Sequence, residues 1–448
     1  MKIQMLIGRR AKLPLVLVCL FTLPILFPTL VVASQKWQAK PNDEFFDPYQ
    51  PLKAPPQPHK LLLKRGDNVA IVGDSITEQR RYSQLMEMYL TVCVPDLRIT
   101  TRQFGWSGET AQGFLRRMTN DCLSFAPTVV TTSFGMNDYK YRPFDEANGE
   151  WYRSNYTAVV AAFKHTKARV ILGSPTCVGK VASWVKSASG TVTEHNQHLC
   201  KLRNIDIEIA KDQDVRFADQ FWPMLVAGFD ARLKYGSNYE ISGKDGVHPG
   251  WAGHVMMAYA YLKAMGLDGN LGTITVNLKR HTAKADRGHV IQNFFDGQYT
   301  IVSRRYPFCA TGEINSDNSV RSGMTLVPFN KDLNRFLLIV KGGTADRYRV
   351  TWGGHVRIYS REILEEGINL AADFPDNPFS EEFAKVDKAV AEKQAFETHQ
   401  IKESFHSAEA RKDLKAVMEK TEVEHARLSA AVCSAFQPVT HTIKIEPE

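Results

Sequence analysis

Between Leu61 and Gly269 short apolar runs return at intervals, each breaking off near Gly, Ser or Asp, with longer segments between them. The runs are "NVAIVG" (68–73), "LRITTRQFG" (97–105), "TVVTTSFG" (128–135) and "ARVILGSP" (168–175). Near-continuous apolar runs of this length suit strands buried on both faces. Their alternation with helical patterns such as "RRYSQLMEMYLTVC" and "WYRSNYTAVVAAFKHT" predicts βαβ units around a parallel sheet, an α/β domain over 61–270. In open sheets of this kind ligands bind outside the carboxyl ends of the strands. Ser75, Gly108 and Asn137 each follow such an end.

At 448 residues the chain is long for one domain and suits two. After about Leu271 the texture changes to "GTITVNL", "FLLIVKG" and "DRYRVTWGGHVRIYS", alternating strands with Gly-containing turns, so 271–370 reads as a β-rich accessory unit. Residues 371–448 read as a helical segment and tail. Phe379, Phe383, Val386 and Val390 draw one apolar stripe, the surrounding Lys and Glu are read as a solvated face, and "THTIKIEP" as a returning edge strand. The proline-rich stretch 34–60 reads as a linker or surface strap.

The first 33 residues have the form of an export signal: a basic start, "MKIQMLIGRRAK", an apolar run, and small residues before a cleavage point near Ala33. An uncleaved membrane anchor is the alternative, and Pro14, Pro24 and Pro28 count against a lasting helix. The expected location is therefore periplasmic or secreted. Lys2, Arg9, Arg10 and Lys12 account for half of the formal charge of +8, and without them 52 basic residues face 48 acidic ones. That near-balance argues against nucleic acid as a partner, and leaves the N-terminal segment as the membrane contact if it stays uncleaved. Once Cys19 is set aside, Cys93, Cys122, Cys177, Cys200, Cys309 and Cys433 remain, an even number that permits disulfides in an exported chain without choosing among pairings.

Ser75, in "GDSIT", is either a helix cap or a nucleophile. A serine hydroxyl attacks only when a neighbouring base takes its proton, and histidine titrates near neutrality. His248 is the candidate base, and Asp245, three residues earlier in "KDGVHPG", can accept its other ring N–H. A tetrahedral intermediate also needs donors aimed at its oxyanion. Gly108 in "GWSGETAQ" can bring a backbone N–H close because it lacks a Cβ, and Asn137 in "GMNDYKY" can aim its amide; Gly105 is the rival glycine.

These four blocks occur in the order that marks the SGNH, or GDSL-type, hydrolase superfamily, which the chain resembles over roughly residues 61–270. The resemblance implies a three-layer, flavodoxin-like α/β/α domain and a Ser75–His248–Asp245 triad. It implies an oxyanion hole formed by Ser75, Gly108 and Asn137, with the serine N–H as third donor, and no cofactor. Phe336 to Leu370 is more loosely similar to a C-terminal β-unit of a bacterial exported branch of these hydrolases, which implies architecture only. The reading is an exported serine esterase acting on a small-molecule or polysaccharide ester, with O-acetylated carbohydrate as leading substrate. The alternatives are a lipase, lysophospholipase or thioesterase, an acyltransferase, and a glycan-binding protein without turnover.

Asp74 and Asp138 read as capping carboxylates, and Arg80 and Arg81 as a polar helix face. His195 and His198 lack a third ligand for a metal. Asn155-Tyr156-Thr157 spells a glycosylation sequon, and Tyr348, Trp352 and Tyr359 fit sheet filling better than sugar contact.

Overall fold

The computed structural model describes residues 37–49, 52–57 and 60–448. The expected signal at 1–33 lies outside them. The apolar runs form β1 (Asn68–Gly73), β2 (Thr100–Gly105), β3 (Val129–Ser133) and β4 (Arg169–Gly173). They are joined by a strand too short to announce itself, β5 (Arg216–Ala218). All pair in parallel, in the order β2-β1-β3-β4-β5. This is the doubly wound order whose switch point, where a ligand crevice opens, lies between β1 and β3.

Helices α1 (Ser75–Glu78), α2 (Arg81–Met88), α3 (Ala111–Asp121), α4 (Glu146–His165), α5 (Val192–Asp212), α6 (Phe221–Tyr235) and α7 (Trp251–Ala264) supply the crossovers. One row is α3, α4 and α5; α2 and α7 pack together in the other. Strands β1 and β3 are almost wholly buried, as continuous apolar runs require when both faces are covered. The described part of 34–60 lies as a strap, with Phe46 buried against Trp222 and Phe229.

Beyond α7 the chain builds two further sheets. Strands β6 (Asn270–Asn277), β7 (Thr282–Ala285), β10 (Arg335–Lys341) and β13 (Ile368–Asn369) make one, in the order β13-β10-β6-β7. The other is antiparallel, β12-β11-β14-β9-β8, from β8 (His289–Phe295), β9 (Gln298–Ser303), β11 (Arg347–Trp352), β12 (His355–Ser360) and β14 (Val439–Pro447). The expected edge strand at the C-terminus is corrected: β14 is central, hydrogen-bonded to β9 and β11, with Val439, His441, Ile443 and Ile445 buried on alternate positions. Trp352 is fully buried beside His441 and Phe379, so the aromatics of this sheet fill it. Four short helices, α8 (Val320–Leu326), α9 (Phe329–Asp332), α10 (Arg361–Glu366) and α11 (Leu370–Asp373), connect these strands.

A hairpin of α12 (Ser380–His399) and α13 (Leu414–Ala435) closes the edge of the parallel sheet. Phe383, Val386 and Val390 are buried as their spacing predicts. The solvated-face expectation fails further along, because Lys393, Gln394 and Glu397 are buried as well. They replace the missing strand beside β2: Glu397 accepts the Gln103 N–H at 3.0 Å, and Lys393 donates to the Thr101 carbonyl at 2.9 Å. Lys393 also pairs with Glu87 at 2.9 Å and Glu397 at 2.7 Å, while Glu397 takes a ring N–H of His425 at 2.9 Å.

All six described cysteines are free thiols, five of them buried, so neither neighbouring pair is a disulfide. Among the described residues no helix is long and apolar enough to cross a membrane.

Burial pushes the Glu397 carboxyl up, but Lys393, His425 and Arg102 outweigh it and hold the group well below the ordinary carboxylate value. A depressed native pKa means the stabilisation is complete above the unfolded value and is lost as pH falls through the native one. Lys393→Ala leaves two buried carboxylates short of a cation and is expected to cost about 3–5 kcal/mol by urea denaturation. A loss below about 1 kcal/mol would show that this network does not hold the hairpin on β2.

Candidate active site

Strand β1 ends at Gly73, where an added Cβ would lie 2.1 Å from the Thr77 hydroxyl and 2.8 Å from the Ser133 carbonyl. The turn into α1 is therefore tight. Asp74, at the N-cap, accepts the Ile76 N–H at 2.9 Å, which leaves Ser75 as the first residue of the helix with its hydroxyl not needed for the cap. Asp138 accepts amides of Ala111 and Gly135, each at 2.9 Å, so both aspartates hold loops as expected. Burial pushes each of these carboxyls up to about 7, against the pull of the amides they accept.

The loop 243–250 brings its two predicted residues to Ser75. His248 Nε2 lies 2.8 Å from the Ser75 Oγ, and its Nδ1 lies 2.7 Å from Asp245 Oδ2. The other carboxylate oxygen accepts the Val247 and His248 amides, each at 2.9 Å. Burial works against the Asp245 charge, but these amides and the ring hold the carboxyl below its ordinary value. An ionised Asp245 fixes the Nδ1–H tautomer of His248, leaving Nε2 free to accept from the serine.

Helix α7 has Gly250 at its N-cap and so no capping side chain of its own. The cap comes from the loop before α8: Asn318 Oδ1 accepts the Trp251 N–H at 3.5 Å, and the Asp317 carbonyl accepts that of Ala252 at 3.1 Å. Asp317 also takes the Glu240 N–H at 3.0 Å, bracketing the His248 loop from both sides. One turn into α7, the buried ring of His254 accepts the Tyr82 N–H at 3.2 Å and lies 2.8 Å from Gln79 Oε1, joining this helix to α1 and α2. Burial pushes His254 well below its ordinary pKa, consistent with a neutral ring that accepts at Nδ1 and donates at Nε2.

Gly108 occupies a turn closed by the Glu109 N–H to the Trp106 carbonyl at 3.1 Å. Its φ is +74°, and an added Cβ would meet nothing within 4 Å, so glycine is required by backbone conformation rather than by close approach. The steric demand falls on its rival: a Cβ at Gly105 would sit 2.2 Å from the Glu78 nitrogen. Asn137 Nδ2 gives one hydrogen to the Glu109 carbonyl at 3.0 Å and keeps a second, while its Oδ1 accepts the Tyr141 hydroxyl at 3.2 Å. Lys140 and Tyr141 both have left-handed φ values, +56° and +54°, a conformation costly for residues with a Cβ.

Sequence reasoning missed Trp184, whose ring stacks at 5.8 Å on His248 with 48% of its surface exposed. It also missed Tyr141 and His254. Arg81 donates to the Pro249 carbonyl at 3.2 Å and covers Trp251, a larger part than the polar face expected of it. His195 and His198 bond carbonyls of Ser189 and Arg142. Among the described residues no three His, Cys, Asp or Glu side chains are grouped to hold a metal. Asn155 lies within α4 and donates to the Trp151 carbonyl. A cavity of about 530 Å³ between the strap and α4–α5 shares no residue with Ser75, Asp245 or His248, and Lys53 and Arg153 on its wall both pair with Glu208. Ser75, His248 and Asp245 come together instead at the strand ends, an arrangement able to carry out acyl transfer.

Residues 71–256 match the GDSL-like lipase/acylhydrolase family. Among solved structures, a gut microbial diltiazem-metabolizing enzyme is similar over 87% of this chain and 100% of its own, at 22% identity and a TM-score of 0.68. That shared fold takes in far more than the matched region. A catalytic mutant of an acetylxylan esterase from Geobacillus stearothermophilus is similar over 46% of this chain and 97% of its own, at 22% identity and a TM-score of 0.38. A protein described as a GDSL-like lipase from Parabacteroides merdae is similar over 46% and 99%, at 22% identity and a TM-score of 0.39. No curated protein matches the chain by sequence.

The two glycines predict opposite phenotypes. Gly108→Ala places a left-handed alanine in open space, a strain of about 1–2 kcal/mol, and is expected to lower kcat more than tenfold with only a small change in melting temperature. Gly105→Ala drives a Cβ into backbone and is expected to lower the melting temperature more than any other effect it has. Equal losses of stability in the two variants would contradict this division.

Proposed function

The chain carries a GDSL-type hydrolase domain and is an ester-bond hydrolase, and from that premise we propose that it works through an acyl-enzyme on Ser75. The observation that carries this reading is the unbroken relay from the Ser75 hydroxyl through His248 to Asp245, at 2.8 and 2.7 Å. Ser75 Oγ attacks the ester carbonyl as His248 Nε2 takes its proton, and Asp245 stabilises the imidazolium. The carbonyl oxygen, now an oxyanion, accepts from the Ser75 and Gly108 N–H groups and from the second Asn137 hydrogen. Neither backbone N–H has a partner among the described residues. Collapse breaks the ester C–O bond while His248 returns the proton to the departing alcohol. Water, deprotonated by the same ring, then releases the acid and restores Ser75.

We place the substrate among short-chain acyl esters of carbohydrates met outside the cytoplasm. Two features support a short acyl group on a bulky, cyclic alcohol. Gly108 and Ser107 stand exposed at the mouth, and Trp184 turns an open ring face toward the solvent beside the histidine that protonates the leaving group. A pyranose stacks on such a face through its C–H groups. The export reading of the N-terminal segment accords with a wall or extracellular glycan.

Ser75→Ala is expected to lower p-nitrophenyl acetate hydrolysis by about 10⁴-fold or more; activity kept within tenfold would remove Ser75 from the mechanism. Trp184→Ala is expected to raise KM severalfold for an acetylated xylo-oligosaccharide while leaving KM for p-nitrophenyl propanoate within about twofold. Loss of both to the same degree would argue against a sugar platform.

A further inference from the structure

The donor turn Trp106–Glu109 is fastened at both ends. The Trp106 N–H reaches the Gly73 carbonyl at 3.1 Å, Asn137 holds the Glu109 carbonyl, and Arg117 holds the Glu109 carboxylate. These ties leave its middle free. The peptide between Ser107 and Gly108 can flip, because glycine adopts φ of either sign, and the flip would reverse the direction of the Gly108 N–H. One side chain reaches the peptide just before it: Glu78 Oε2 accepts the Ser107 N–H, which fixes the Trp106–Ser107 plane and with it the place of the Ser107 Cα about which the next peptide turns.

Glu78 stands three residues after Ser75 on the single turn of α1, with its own N–H bonded to the Asp74 carbonyl at 3.0 Å. Nucleophile and restraint therefore move as one piece. The other carboxylate oxygen accepts from Lys402, at 2.6 Å, on the segment that follows α12. Burial pushes the Glu78 carboxyl up, but Lys402 and the Ser107 amide outweigh it and hold the group below its ordinary value. Lys402 also lies 5.6 Å over the Trp106 ring.

We infer that Glu78 is a positioning residue that sets the Gly108 N–H toward the developing oxyanion, and that the C-terminal hairpin, through Lys402, is a working part of that arrangement. This rests on the acyl-enzyme reading above. A restraint on an oxyanion donor matters chiefly once the oxyanion forms, so its loss lowers kcat more than it raises KM.

The test uses the full chain and p-nitrophenyl acetate, with phenyl trifluoromethyl ketone as an inhibitor that forms a tetrahedral adduct. Glu78→Ala is expected to lower kcat 10- to 100-fold with KM within about threefold, and to weaken the ketone in parallel with kcat. Glu78→Gln, which keeps an oxygen for the Ser107 N–H, stays within about fivefold of the parent, and Lys402→Met falls between the two. A kcat within twofold of the parent in Glu78→Ala overturns the inference. So does a rise in KM alone, or a lowered melting temperature with ketone affinity intact. Should Glu78→Ala not fold, unchanged kcat and ketone affinity in Lys402→Met overturn it. If Ser75→Ala keeps its activity, the acyl-enzyme reading itself fails; if Ser75→Ala is inactive and Glu78→Ala is not, only the role of Glu78 fails.

Discussion

Three parallel strands end level with one another, and the site depends on that register. Gly73 pairs with Gly105 on one side and with Ser133 on the other, so β1, β2 and β3 release their chains at one height along the same edge. Ser75 comes two residues after the first of these ends, Gly108 three after the second and Asn137 four after the third. Parallel strands cannot be joined by tight hairpins, so each loop is free to turn over the edge before its crossover helix begins. The β1/β3 switch point supplies the opening between them.

What the register cannot supply is the exact pose of each loop, and here the region beyond residue 270 enters the site without lending a reacting group. Asp317 and Asn318 cap α7 and brace the Asp245–His248 loop. The α12–α13 hairpin covers the open edge of β2 and sends Lys402 to Glu78. Both contacts join residues far apart in sequence. The accessory units are thus the second half of a clamp whose first half is the sheet edge, and buried charges such as Lys393 and Glu397 fasten it where a further strand would otherwise pair.

Much of this was legible in the residues alone. Strands β1, β3 and β4 read clearly because a strand covered on both faces leaves an unbroken apolar run, and Ser75, Gly108, Asn137, Asp245 and His248 stood out because each sits in a short block with its own chemical logic. The failures share a cause. The burial of Lys393 and Glu397 depends on Glu87, Thr101 and Gln103, some three hundred residues away, and local charge by itself looks solvated. The central place of β14 depends on β9 and β11, and a single strand carries no mark of having two neighbours rather than one. Trp184 sits in an irregular loop with no periodicity to single it out. Close approach does not explain the glycine at 108, since the need for φ near +74° is a property of the turn and not of the packing.

The central claim is that Ser75 is activated by His248 rather than merely placed beside it. The most direct measurement treats the full chain with a fluorophosphonate and follows the adduct by peptide mass spectrometry over time. One adduct is predicted, on Ser75, absent from Ser75→Ala and formed at least a hundredfold more slowly in His248→Ala, because the hydroxyl then has no base. An adduct on another serine, or labelling of Ser75 at an unchanged rate without His248, would contradict the account.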